Sequence, residues 1–266
     1  MIHLKRRAEL EVMAEAARVN REAMDAVAAV VAPGVTTAEL NAIAEDAILS
    51  RGGRPAFKGY QGASSTPFPG TLCTSINEVV VHGIPGDRAL ADGDIVSIDI
   101  GTFFRGFAAD LARTFAVGDV SEEARRLIDV AERSLAAGIG AAQAGNRLGD
   151  VSAAIQGVVE SAGFWVVREF VGHGIGRAFH EDPEVPNHGR AGTGPVLRPG
   201  LVLAIEPMVT TRSTRVVVRD DGWTAASADG SLAAHVEHTV AVTDDGPWVL
   251  TAAPTRATAA TAAPRR

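Results

Sequence analysis

DIVSIDIGTFFRGFAADLART (residues 94–114) reads as two β-strands joined by a tight turn. Val96, Ile98 and Ile100 alternate onto one face, and Ser97, Asp99 and Gly101 onto the other. With Phe104-Arg105 as a two-residue turn, Asp99 and Asp110 stand directly opposite each other on that second face. Opposed residues hold their Cβ atoms ~4.5–5.5 Å apart, where two like charges repel unless a cation lies between them. The hairpin alone is equally compatible with one surface carboxylate and one solvated neighbour of a turn.

Three further residues repeat the theme. Glu206 in LVLAIEP (201–207) and Glu237 in AAHVEHTVAV (233–242) lie in apolar strands, and His173 lies in the glycine loop GHGIG (172–176). Each alone has an ordinary reading: an edge-strand glutamate, or a loop histidine. Together with the two aspartates they form a set of four carboxylates and one imidazole in stretches where an unpaired charge is costly. A divalent cation is the strongest partner for such a set, which points to a metal-dependent hydrolase. Oxygen-rich ligation with one imidazole suits Mn, Fe(II), Co or Zn rather than a thiolate-type structural zinc site.

The rest of the chain bounds the possibilities. Its 266 residues allow one large domain or two small ones, and a formal net charge of −7 suggests no basic surface for nucleic acid. The single cysteine, Cys73, permits no intrachain disulfide and suits a reducing compartment. The N-terminus lacks the apolar core of a secretory signal, and no apolar run approaches the ~18–20 residues of a membrane span. Lysine occurs only at Lys5 and Lys58.

Residues 4–32 have helical periodicity ended by Pro33-Gly34, and Thr36 with Glu39 forms a capping box that opens a second helix. Strands are expected at 72–81, 94–101 and 107–117, helices near 121–142 and 148–162, and strands near 201–210, 214–219, 234–242 and 247–251. Strands and helices mix without regular βαβ alternation, so an α+β fold is expected. Residues 1–252 are expected to form one catalytic domain, and 253–266 a low-complexity, disordered tail.

SINEVVVHGIP (75–85), the hairpin 94–114, GHGIGRAFHEDP (172–183), LAIEP (203–207) and VEHTV (236–240) occur in this order. Together they closely resemble the type I methionine aminopeptidases, from about residue 5 to about residue 250. The resemblance implies the pita-bread fold, with a curved antiparallel sheet covered by helices and pseudo-two-fold halves around a dinuclear site. It implies Asp99 as bidentate ligand of one metal, Asp110 and Glu237 as bridges, and His173 and Glu206 as ligands of the other. Glu206 would assist proton transfer. His180 would hydrogen-bond the scissile carbonyl, and His82 would contact the amide nitrogen beyond the scissile bond. Tyr60, Cys73, Phe179 and Trp223 match the walls of the methionine pocket, although plain core packing competes, above all for Cys73. The loop 61–71 looks lengthened, and Ala63 lies near where the family often has an aromatic. His3, His188, His235 and His238 match no ligand and read as solvent-facing or structural.

The implied activity is removal of N-terminal methionine from nascent proteins whose second residue is small and uncharged. It implies two divalent cations, a cytoplasmic monomer and substrates met at the ribosome exit. The absence of a zinc-binding or proline-rich N-terminal extension favours the short bacterial form. Xaa-Pro peptidases of the same fold typically carry an extra N-terminal domain, for which this chain has no room. A non-catalytic binding module is disfavoured by the intact ligand set, and a two-metal phosphoesterase by the lack of a basic phosphate clamp.

Overall fold

Arg105 and Gly106 close the 94–114 hairpin, one residue later than the sequence suggests. Strands Ile95–Phe104 and Phe107–Ala116 pair antiparallel with Phe104 opposite Phe107. Both turn residues have positive φ, 51° and 83°, as the turn favoured between two twisted strands requires. A turn at Phe104-Arg105 would force a bulky aromatic into that left-handed region instead of glycine. The register therefore sets Asp99 opposite Ala112 and Asp110 opposite Gly101. The two aspartates are diagonal neighbours, not directly opposed. They still share a face, because the correction moves the partner by two residues.

The structure is a computed structural model and describes residues 1–62 and 64–253. The tail from residue 254 onward and Ala63 lie outside the described residues.

The elements form an α+β arrangement in two halves. In the first, α1 (Arg7–Ala28) and α2 (Thr37–Leu49) cover the hairpin and the strand Leu72–Ile76. Met24, Val27, Leu40 and Ile48 pack there against Val96, Ile98, Ile100 and Leu111. In the second, α3 (Glu122–Ala141) and α4 (Leu148–Ser161) cover a five-stranded antiparallel sheet. Its order is Gly246–Val249, His238–Thr243, Val202–Ile205, Gly172–Gly174, Glu181–Val185. Leu127, Leu135, Val151 and Ile155 meet Leu203, Ile205, Val240 and Val242 in that core. The expected capping box is present: Glu39 N–H donates to Thr36 Oγ1 (3.2 Å) and Thr36 N–H to Glu39 Oε2 (2.7 Å).

Several expected strands are interrupted. The 72–81 segment breaks at Asn77, whose φ of 53° turns the chain, and resumes as Val79–Val81. The 201–210 segment breaks at Glu206-Pro207, and the 234–242 segment at Val236-Glu237. The segment around His173 is a short strand inside the five-stranded sheet rather than a glycine loop. Strands Glu181–Val185 and Ala225–Ser227 were not expected.

Polar contacts fix α1 to the hairpin and the N-terminal segment to the second half. Asn20, buried in the middle of α1, donates its side-chain amide to the carbonyls of Ile100 (2.6 Å) and Ala109 (2.8 Å), one on each strand of the hairpin. Helix α1 starts at Arg7 rather than residue 4 because the chain before it is held elsewhere: Lys5 N–H donates to Gly200 O (2.7 Å). The Lys5 ammonium lies 2.6 Å from Glu181 Oε2, with both side chains buried. The other oxygen of Glu181 accepts from the N–H groups of Arg177 (2.8 Å) and Ala178 (3.2 Å). The pair thus holds the turn that ends in Phe179 and His180. Replacing one member leaves a buried charge unpaired, so Lys5→Met is expected to lower unfolding free energy by about 3–5 kcal/mol in urea titration.

Candidate metal centre

The interruptions at Glu206 and Glu237 coincide in space. Ile205 pairs with His238 on one side of the break, and Met208 with His235 on the other. Counting inward from either pair brings Glu206 opposite Glu237. Pro207 has no N–H to give to a ladder. Val236 N–H still donates to Pro207 O (3.3 Å), whereas Glu237 N–H turns to the first half of the chain and donates to Ala112 O (2.9 Å). Two residues on, the Thr239 hydroxyl accepts from Asp110 N–H (2.9 Å) and donates to Asp110 O (2.8 Å). The Thr114 hydroxyl donates to His235 O (2.8 Å). The hairpin bearing Asp99 and Asp110 is therefore stitched to the strand bearing Glu237.

His173 enters from the neighbouring strand, paired with Ala204. Its flanking glycines permit close packing: a Cβ at Gly172 would meet Ala204 O at 2.4 Å, and one at Gly174 would meet Asp182 O at 2.2 Å. His173 Nδ1 lies 2.8 Å from Gly174 O. A carbonyl only accepts, so Nδ1 carries the proton and Nε2 presents a lone pair. That nitrogen lies 3.8 Å from Asp110 Oδ2 and 3.7 Å from Glu206 Oε1. Asp110, His173 and Glu237 each offer a ligand atom within 4.8 Å of the others. The Asp99 carboxyl adjoins that of Asp110. All five expected ligands are brought together.

The electrostatics agree. Burial pushes Glu206 up to about 8 and Asp99 up to about 6. Burial and then its carboxylate neighbours push Asp110 and Glu237 well above the ordinary range. No lysine or arginine among the described residues pairs with any of the four. Asp99 Oδ1 and Glu237 Oε1 are buried with no hydrogen-bond partner. Buried oxygens without donors, four acids and an imidazole lone pair fit divalent cations of the Mn, Fe(II), Co or Zn kind.

Asp99, Asp110, His173 and Glu206 line a cavity of about 260 Å³, with a Glu237 oxygen within 4.8 Å of ligand atoms of Asp110 and His173. Its walls include all four residues expected of a side-chain pocket, Tyr60, Cys73, Phe179 and Trp223, and both non-ligand histidines, His82 and His180. Cys73 pairs with Asp99 across neighbouring strands, and burial pushes its thiol up. Phe179 occupies the space left by Gly101, where a Cβ would meet its ring at 2.6 Å. The Trp223 indole donates to Thr66 O (2.9 Å), which docks the 61–71 loop on the pocket wall. The Tyr60 hydroxyl lies 2.8 Å from His180 Nδ1. His82 has a φ of 60°, a strained value for a residue with a Cβ, and burial lowers it to about 4.

One residue at the site was missed. His235 is not solvent-facing: it is 2% exposed, with Nε2 3.4 Å from Glu206 Oε2. Residues 235 and 237 share a face in a regular strand, so alternation outward from Glu237 was the available signal. His238 turns instead to the Thr251 hydroxyl (2.8 Å).

The model of metallopeptidase family M24 matches residues 11–244. The chain belongs to this family. Methionine aminopeptidase of Clostridium perfringens is 53% identical over 251 residues, covering 94% of this chain and 99% of that protein. Methionine aminopeptidase 1 of Bacillus subtilis is 47% identical over 94% of this chain and 99% of its own length. The solved structure of methionine aminopeptidase from Thermotoga maritima superposes with a TM-score of 0.92 at 44% identity, covering 95% of this chain and all of that one (100%). Prolidase from Pyrococcus furiosus, at 22% identity and a TM-score of 0.74, shares the fold. The arrangement is the pita-bread fold of M24 metallopeptidases.

The buried acids imply a pH response. The unfolded chain releases the Glu206 proton near 4.5 and the folded chain near 8, so across that interval the folded state binds more protons and loses stability as pH rises. His82 and His173 act oppositely below 6.5, since their folded values fall to about 4 and 3. Above 6.5 that opposing effect fades as the unfolded histidines lose their protons, and the carboxyl effect dominates. With a chelator present, the thermal midpoint is expected to fall as pH rises from 6.5 to 8, and excess manganese to abolish the fall. A flat midpoint with chelator would contradict the shared burial of the acids.

Proposed function

We propose that this M24 metallopeptidase removes the N-terminal methionine of polypeptides at a centre of two divalent cations. The observation that supports this best is the convergence of Asp99, Asp110, His173, Glu206 and Glu237 beside a cavity of about 260 Å³ walled by sulfur and aromatic groups. A thioether is flexible and polarisable and suits such walls. The names of the relatives supply the substrate class.

In this reading Asp99 would hold one cation, His173 and Glu206 would hold the other, and Asp110 and Glu237 would be shared between them. Such cations polarise the substrate carbonyl and lower the pKa of an attacking water. The residues do the remainder. Glu206 would take the proton that the water loses, as a carboxylate beside such a water can. His180 donates from Nε2 to the oxygen of the scissile carbonyl as negative charge develops on it, with Tyr60 fixing the ring from Nδ1. His82, neutral through burial, contacts the amide nitrogen beyond the scissile bond and assists the leaving group. Tyr60, Cys73, Phe179 and Trp223 enclose the methionine side chain. The free α-amino group of the substrate would be held near Asp99, which would account for exopeptidase action.

The proposal extends to context. Residues 1–252 act as one catalytic unit, in keeping with the family match over 11–244. No helix among the described residues is long and apolar enough to cross a membrane. The substrates are newly made chains with a small, uncharged second residue, met in the cytoplasm by a monomer.

Anaerobic assay on Met-Ala-Ser and Xaa-Pro peptides, with apo-protein titrated with Fe(II), Mn, Co and Zn, tests the reading. Metal-dependent release of methionine from Met-Ala-Ser alone is expected; preference for Xaa-Pro peptides would overturn it. Asp110→Ala and Glu237→Ala should abolish turnover, and near-native rates in either would remove the bridging assignment. His180→Ala should lower kcat by ~10²–10³-fold, as loss of an oxyanion donor does elsewhere. A change in KM alone would exclude that role.

A further inference from the structure

The Glu206 carboxylate lies between two imidazoles. Its Oε1 faces His173 Nε2 at 3.7 Å, and its Oε2 faces His235 Nε2 at 3.4 Å. His173 has its Nδ1 committed to Gly174 O, so the nitrogen it turns to Glu206 is a lone pair aimed at the candidate ion. His235 differs. Its Nε2 is fully enclosed and has no hydrogen-bond partner, and its backbone N–H is already tied to the Ser97 and Thr114 hydroxyls (both 3.1 Å). That anchorage leaves the ring little freedom. A buried ring N–H without an acceptor is costly, and Glu206 Oε2 is the acceptor in front of it. The gap of 3.4 Å is slightly longer than a well-formed hydrogen bond. A small rotation of the carboxylate closes it, as polar contacts at catalytic sites often tighten on loading.

We propose that His235 is a positioning residue that acts through Glu206. Its Nε2–H holds Oε2, which reserves Oε1 for the side where Asp110, His173 and Glu237 converge. The two oxygens of one carboxylate thereby take different tasks, one facing the cation and one tied to the protein. Outer-shell partners of metal ligands commonly change affinity by ~10–100-fold. The inference rests on the reading of Glu206 as a ligand.

The test compares wild type with His235→Leu, which removes the donor, and His235→Gln, which restores an N–H at similar reach. Manganese affinity is measured anaerobically by calorimetry on chelator-stripped protein, with circular dichroism melts to confirm folding and kcat and KM on Met-Ala-Ser. Manganese binding by His235→Leu is expected to weaken ~10–100-fold, with kcat falling and KM little changed. His235→Gln should recover affinity to within a few-fold. If the leucine variant does not fold, His235→Asn takes its place, because its amide is polar but too short to reach Oε2. Wild-type affinity and kcat in the donor-less variant would overturn the inference and leave the metal assignment intact. Failure of glutamine to improve on leucine or asparagine would also overturn it, since the N–H would then not be what matters. A wild-type protein that takes up no manganese would overturn the metal assignment itself, and this role with it.

Discussion

Glu206 and Glu237 face each other across a gap in a β-ladder, with Asp99 and Asp110 brought onto the same spot from a hairpin in the other half of the chain. Four acids at one buried point repel, and no lysine or arginine among the described residues neutralises them. The rest of the architecture can be understood as what holds such a costly group together. The Asn20 amide clamps both hairpin strands. The hydroxyls of Thr239 and Thr114 tie the hairpin to the strand of the second half. Hydrophobic clusters on each side, α1 with α2 and α3 with α4, supply the burial that offsets the repulsion. Stability and chemistry are therefore opposed at this point, and a divalent cation reconciles them.

Local pattern was enough for much of this. The alternation of Val96, Ile98 and Ile100 against Ser97 and Asp99 is a property of two adjacent strands, so the hairpin and the shared face of the aspartates were legible. The capping box at Thr36 was legible because its two bonds join residues three apart. The exact register was not. It depended on which pair of residues accepts positive φ, and Gly106 decides that only when paired with Arg105.

What escaped the sequence was non-local. Glu181–Val185 contains three acids and a proline, and is a strand only because Gly172–Gly174 offers it an edge. The Lys5–Glu181 pair spans 176 positions. The ladder breaks were obscured because LVLAIEP and AAHVEHTVAV each look continuous, and the meaning of Pro207 emerges only when Glu237 is found opposite Glu206. His235 reads as solvent-facing or structural because alternation from Glu237 holds only for a regular strand, and the strand is broken between them. The pocket walls show the same limit: Gly101 has no side chain to notice, yet its lack of a Cβ is what admits Phe179.

The bond between Asp110 and Thr239 spans 129 positions, and the strand His238–Thr243 comes near the end of the chain. During synthesis the hairpin emerges long before its partner exists. The first half can bury its own apolar cluster early, but the segment carrying Glu237 reaches the hairpin only after the 129 positions separating Asp110 from Thr239 have been made. Assembly of the centre is thus a late, high-contact-order event. A growing copy of this chain cannot gather these carboxyls until the strand after Glu237 has docked on the hairpin.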